Sequence, residues 1–203
     1  MENLSGVPPI TKYICLLMLV CSSLSSMQLV SSYNFSLSWP HILKKLQLWR
    51  LVTSFTYIGP FSFMVAVHIL IFFQDLRLME TRSSFEDMVY FVLWNWVSGL
   101  VLSCFGFKLV SEIFFMCVVY VNSKRNRNAR ATLFFLPMLQ IPVHYLPWIF
   151  LVLNFSYERV IGVAMGHLYY YFEDIYPKLS HSHGFRLFAP PRVLRKAIRA
   201  VLG

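Results

Sequence analysis

Charge is scarce in this sequence, and acidic charge most of all: 13 % of the 203 residues are charged, and Asp and Glu together number 9. Soluble domains are about one quarter charged, so an ordinary water-soluble globule is excluded. Glycine is also sparse, at 8 residues, and neither a glycine-rich phosphate loop nor a dinucleotide fingerprint occurs. The 4 cysteines, Cys15, Cys21, Cys104 and Cys117, lie in or beside apolar runs without metal-ligand spacing. They read as buried thiols, which excludes a zinc site and a disulfide framework. No repeated half with matched short helices is visible, which argues against a secondary transporter. No segments of barrel length with alternating polarity occur, which argues against a β-barrel.

What the chain does contain is apolar bulk: 57 % hydrophobic residues, 19 Phe, 11 Tyr and a mean hydropathy of +0.58. Stretches 13–33, 51–74, 88–107 and 131–157 carry no charge, and each is long enough for about 30 Å of hydrocarbon at about 1.5 Å per residue. An all-α, polytopic membrane protein follows, because in lipid every backbone group must be satisfied within its own segment. The net charge of +9 arises from basic residues between the hydrophobic runs and in the tail. Topology and anionic lipid explain that placement, and nucleic acid is not a partner. The first run follows a lead with Lys12 as its single basic residue, so it reads as a retained span and not as a signal peptide.

Six spans are expected. The first covers 13–30. The second covers 51–73, with Gly59-Pro60 breaking the helical ladder so that 47–58 lies partly re-entrant. A dense polar loop with Asp75, Arg77, Glu80, Arg82, Glu86 and Asp87 comes next. The third span, 88–105, carries Asn95, whose amide has to face the bundle or a wet cavity. The fourth is short, about 108–123, and must tolerate Glu112, which needs water or a partner. The fifth, 131–157, holds Pro137, Pro142 and Pro147 and should be kinked or broken. The last, over 160–174, carries Gly162 and Gly166 four residues apart. On a helix they share one face and admit a second backbone, so this span is expected to be the central helix of the bundle. With both termini in the cytosol, 13 of the 18 basic residues fall inside and 5 outside, the bias required by the positive-inside rule.

Catalysis finds little support. Ser54, Ser62, Ser98 and Ser103 lack a nucleophile setting flanked by glycine on both sides. His68 and His167 read as polar contacts or cavity walls, since a metal site needs a convergence of ligands. Glu173 and Asp174 form a polar rim at the end of the last span.

Taken together, these residues resemble the Derlin family, the proteolytically inactive relatives of rhomboid proteases in the endoplasmic reticulum. The resemblance is carried by Pro9-Ile10-Thr11-Lys12, by Gln47-Leu48-Trp49-Arg50-Leu51 followed by Gly59-Pro60, and by Leu78-Met79-Glu80. Asn126 and Arg130, Leu146-Pro147-Trp148, and Gly162 to Gly166-His167 with Tyr170, Glu173-Asp174 and Pro177 extend it. Gly184-Phe185-Arg186-Leu187 with Pro190-Pro191 completes it. Rhomboid proteases place a glycine-flanked serine in the fourth span and a histidine three residues before the glycine pair of the sixth. This chain has Ser111 beside Glu112, and Arg159 before the pair, so no enzymatic activity is expected.

The resemblance implies a rhomboid-like domain over 1–176, a short basic cytosolic tail over 177–203, and residence as a multi-pass protein in the endoplasmic-reticulum membrane. It implies no cofactor. The expected function is non-catalytic: binding of misfolded lumenal or membrane proteins and their retrotranslocation across a locally thinned bilayer, within endoplasmic-reticulum-associated degradation. The expected partners are those clients, membrane lipid, a membrane E3 ubiquitin-ligase complex, a cytosolic AAA ATPase reached through an adaptor, and further copies or homologues in an oligomer. A membrane chaperone or ligase adaptor without a translocation path is the alternative. Trp49, Arg50, Gly59, Pro60, Gly162 and Gly166 would serve the scaffold. His68, Asn95 and His167 would line a client groove, and Glu173 and Asp174 its cytosolic rim.

Overall fold

The computed structural model describes residues 6–108, 110–132 and 140–179. Among these residues, eight α-helices make up the bundle: α1 (Pro9–Ser26), α2 (Trp39–Lys45), α3 (Arg50–Thr56), α4 (Phe63–Arg82), α5 (Phe85–Cys104), α6 (Val110–Arg125), α7 (Leu146–Leu153) and α8 (Tyr157–Tyr170). A two-stranded antiparallel ribbon, β1 (Arg130–Thr132) and β2 (Gln140–Pro142), lies between α6 and α7, with Ala131 opposite Ile141. Two of the helices, α1 and α5, are long and apolar enough to cross a membrane by length and composition.

The fold is organised around α6. All of its residues from Ile113 to Ser123 are buried, as is usual for a helix that is apolar all round. Phe114 is a hub for rings from three other helices: Phe55 of α3 at 4.2 Å, Phe72 of α4 at 5.2 Å and Phe91 of α5 at 6.4 Å between centroids. Its neighbour Phe115 packs on His68 of α4 and Phe150 of α7. The central element is therefore the short fourth run. The last helix, α8, lies against it and is not itself the centre, contrary to the expectation from its glycine pair. Glu112 and Lys124 narrow the uncharged window of α6 without ending the helix, and so disguise its importance.

One other boundary differs from expectation, and one expected break takes an unexpected form. Helix α4 continues through Asp75, Arg77 and Glu80 to Arg82, where the run of charges predicts a polar loop. The reason is that its acidic residues find partners: Asn122 Nδ2 donates to Asp75 Oδ1 at 2.6 Å, and Glu80 receives three hydrogen bonds from the start of α1. The expected fifth span is broken. The ribbon and a 3-10 turn, Val143–Tyr145, take its first part, and only Leu146–Leu153 is α-helical, with Pro147 in its first turn, where proline costs no hydrogen bond. Pro137 and the tail from residue 180 lie outside the described residues.

The break at Gly59-Pro60 is present. Helix α3 ends at Thr56, Tyr57 is extended, and α4 restarts at Phe63 behind Ser62, whose hydroxyl accepts from the Val65 N–H at 3.3 Å. That is an ordinary N-cap. Ser84 and Ser156 cap α5 and α8 in the same way.

Candidate functional site

The α6–α8 seam shows how far small residues set helix separation. A Cβ at Gly162 would stand 2.6 Å from the Ile113 carbonyl oxygen and 2.7 Å from Met116 Cβ. At Gly166 it would meet Tyr120 Cβ at 3.0 Å and the Cys117 carbonyl oxygen at 3.1 Å. The two helices thus touch backbone to backbone, the packing on which association in lipid depends. Gly99 of α5 makes a third close approach, here to a side chain, since a Cβ there would lie 2.2 Å from Val110 Cγ1. Sequence reasoning missed it, although Gly99 and Ser103 repeat the four-residue spacing of small residues on one helix.

At one end of that seam sits a buried ionic cluster. Arg159, in the first turn of α8, is only 2 % exposed. Its Nε donates to Glu112 Oε2 of α6 at 2.8 Å, and its Nη1 to the Phe150 carbonyl oxygen of α7 at 3.1 Å. Its Nη2 lies 3.4 Å from His68 Nε2 of α4. Guanidinium has only donors, so this contact requires Nε2 to be the unprotonated ring nitrogen. One side chain therefore joins four helices, and it supplies the partner that Glu112 needs.

Arg50 has a comparable role. It is 1 % exposed, and its guanidinium donates to the carbonyl oxygens of Tyr33 and Ser36, to Asn34 Oδ1 and to Gln47 Oε1, with the Tyr33 ring 5.3 Å away. It knots the loop before α2 to the start of α3. Trp49, beside it, is exposed, and its carbonyl accepts from Thr53. Gly59 is buried, yet a Cβ there would find its nearest neighbour, Val65 Cγ2, at an ordinary 3.7 Å; Pro60 is exposed.

The three histidine and asparagine positions do not converge. His68 stacks edge-on against Phe115 at 4.7 Å. Asn95 is buried, lies beside Cys117 and donates to the Phe91 carbonyl of its own helix. His167 is exposed, with Nδ1 2.8 Å from Tyr120 Oη. At about 100° per residue, Phe115 points away from both Cys117 and Tyr120, so His68 stands across α6 from the other two.

The polar rim at the opposite end is better defined. Glu173 is buried in the π-helical turn Tyr171–Ile175 that follows α8. Asp174 pairs with Arg125 of α6, with Oδ2 3.0 Å from Nε and 2.9 Å from Nη2. Both acids line an open polar cavity of about 360 Å³ with Arg82, Ser83, Ser84, Asp87 and Arg125. Nearby, Asn126 donates to the Asn122 carbonyl at 3.0 Å, closing the group around Asp75.

Hydrolytic geometry is not assembled. Ser111 Oγ donates to the Tyr57 carbonyl oxygen, and the residue facing its helix from the first turn of α8 is an arginine held by Glu112. Among the described residues, no group of three His, Cys, Asp or Glu stands close enough to hold a metal ion.

A model of the Der1-like family matches residues 7–192. The chain belongs to the Der1-like family. It is 29 % identical over 193 residues to Derlin-1.2 of Zea mays, an alignment that covers 87 % of this chain and 76 % of the relative. It is also 29 % identical over 207 residues to a probable derlin-2 homolog of Dictyostelium discoideum, covering 94 % and 79 %. An uncharacterized derlin-like protein of Schizosaccharomyces pombe is 26 % identical over 183 residues, covering 85 % of this chain and 95 % of its own length. As a Der1-like protein, the chain is membrane-associated and has a non-catalytic role related to endoplasmic-reticulum-associated degradation.

Proposed function

We propose that this Der1-like chain is a six-span protein of the endoplasmic-reticulum membrane, with both termini cytosolic, that binds misfolded proteins and eases their retrotranslocation. The observation that carries the reading is the length of the central pair. Between the charges that bound them, the 13 residue steps from Glu112 to Arg125 of α6 and the 15 from Arg159 to Asp174 along α8 and the turn after it measure about 20 Å and about 22 Å at about 1.5 Å per residue, against about 30 Å of hydrocarbon. Neither helix can lengthen its apolar reach, because Glu112 and Arg159 pin one end and Arg125 and Asp174 the other. A mismatch of this kind is answered by thinner lipid around the protein. Thinner lipid lowers the cost of carrying backbone amides and charged side chains across, otherwise several kcal/mol per unpaired group.

Helix α7 supports the same reading. It has only 8 residues, and an open, wholly apolar cavity of about 470 Å³ runs along it between Ile141, Tyr145, Trp148, Ile149, Val152 and Leu153. An unfolded client segment with apolar side chains fits such a surface. A membrane ubiquitin-ligase complex would receive the client, and a cytosolic AAA ATPase, reached through an adaptor, would supply the pulling force.

The test is site-specific photocrosslinking to an arrested lumenal client, with probes scanned along α4, α6 and α7. A continuous line of adducts reaching the rim at Glu173 and Asp174 is the expected result. Adducts confined to one lateral face would replace translocation with a chaperone or adaptor role.

A further inference from the structure

Helices α1 and α4 enclose a second apolar cavity, of about 390 Å³, on the side of the bundle away from α8. Its walls are Cys15, Leu16 and Leu19 of α1 and Ile69, Leu70 and Phe73 of α4, with Val7 and Lys12 at one end. Leu16, Leu19 and Leu70 are roughly half exposed, whereas Cys15 and Ile69 form a buried floor. The shape is a trough open along its length, not a gap in the core.

Charge stands at one end of this trough only. Lys12 closes it, and its ammonium makes no ion pair among the described residues. The first N–H groups of α1, which would otherwise attract an anion, are taken by Glu80, so Lys12 is the group left to receive one. Arg77 follows Phe73 by four residues and so stands one turn further along the same face of α4, on the Lys12 side. Lys12 to Leu19 spans about 10 Å of helix, the reach of the outer part of an acyl chain beneath its headgroup.

We propose that this trough binds an anionic phospholipid of the cytosolic leaflet, with one acyl chain on Cys15, Leu19 and Ile69 and the headgroup phosphate on Lys12. The proposal rests on the cytosolic placement of the N-terminus given above. Apolar lining selects a hydrocarbon chain, and the single-ended positive charge selects its orientation and the sign of its headgroup. A bound lipid would fill the outer face of α1, the helix whose attachment to α4 depends on Glu80.

The experiment uses the full chain in nanodiscs of phosphatidylcholine carrying a small fraction of phosphatidylserine with a photoactivatable acyl chain, the adducts being mapped by peptide mass spectrometry. Adducts concentrated within 15–19 and 69–73 are expected, and they should be fewer when the photoactivatable lipid is phosphatidylcholine. Lys12→Gln should reduce the preference for phosphatidylserine about fivefold, the worth of one cation near an anionic surface, while leaving the acyl adducts in place. Leu19→Trp should displace the chain and remove them. Adducts spread evenly over all lipid-facing residues of the unaltered protein, or equal labelling by both lipids, overturn the proposal without reference to any variant. A glycosylation reporter on the N-terminus, read in parallel, separates the two ways of failing. Scattered adducts with an unglycosylated N-terminus overturn the lipid site alone, whereas a glycosylated N-terminus overturns the orientation and with it the cytosolic-leaflet lipid.

Discussion

Glu80 of α4 holds the start of α1 through Thr11, receiving its backbone N–H and its hydroxyl on the same oxygen, both at 2.7 Å, while the other oxygen takes the Ile10 N–H at 3.0 Å. Helix α1 begins at Pro9 with no side-chain cap of its own, so a carboxylate sixty-nine residues from Thr11 supplies it. A negative group at a helix N-terminus also complements the helix dipole. The two sequence motifs Pro9-Ile10-Thr11-Lys12 and Leu78-Met79-Glu80 are thus two halves of one contact.

Glu80→Ala should free the first turn of α1 and destabilise the protein by about 1–3 kcal/mol, since buried N–H groups lose a charged acceptor. Glu80→Gln should lose less, because its amide oxygen still accepts. Thermal unfolding in mild detergent gives the ranking, and equal losses for both variants would mean that the charge is irrelevant.

Arg159→Ala should be far more damaging, at about 3–5 kcal/mol, because it strands Glu112 among buried groups. The double variant Arg159→Met with Glu112→Leu should recover much of that loss, since removing both charges leaves nothing unpaired. A double variant as unstable as the single one would show that the geometry of the four-helix junction, and not charge compensation, is what matters.

The glycine seam makes an ordered prediction. Gly162→Ala should cost more than Gly166→Ala, because its new methyl meets a carbonyl oxygen at 2.6 Å, whereas at Gly166 the nearest side-chain and carbonyl atoms stand at 3.0 Å and 3.1 Å. Gly162→Leu should disrupt the bundle by about 1–3 kcal/mol or more. Gly59→Ala is the control: its methyl finds its nearest neighbour at 3.7 Å, and it should unfold with the parent. Gel-filtration profiles and melting temperatures of the four variants decide the order.

The rim pair should behave differently from the buried one. Arg125 and Asp174 are 23 % and 26 % exposed at their side chains, so Asp174→Asn should cost about 1 kcal/mol or less and its effect should shrink in high salt. A salt-independent loss of several kcal/mol would place this pair in a drier setting than its exposure indicates.

How much of this is legible in the sequence depends on how each residue finds its partner. Helices α1 and α5 are nearly as the uncharged runs indicate, within a few residues at each end, because nothing inside them conflicts with length and hydropathy. Helix α4 reads as ending near Asp75, since a run of charges looks like loop until Asn122 and the α1 terminus are known to face it. Glu112 visibly needs a partner, yet Arg159 falls among the external charges when basic residues are sorted by side. Forty-seven residues separate the two along the chain, and sequence spacing cannot reveal a pairing between helices that far apart. The ribbon of Arg130–Thr132 and Gln140–Pro142 is hidden because three prolines in an apolar run suggest a broken helix before they suggest strands. His68, Asn95 and His167 look alike as isolated polar residues in spans, but His68 packs on the far side of α6 from the other two.

The junction at Arg159 also has a temporal side. Synthesis proceeds from the N-terminus, so Glu112 is made forty-seven residues before its counterion. Until Tyr157 and the residues after it emerge, the most deeply packed helix of the molecule carries an orphan charge and lacks the glycine face that seats it. The core of this protein is therefore unfinished until α8 is made, however complete the helices before it are.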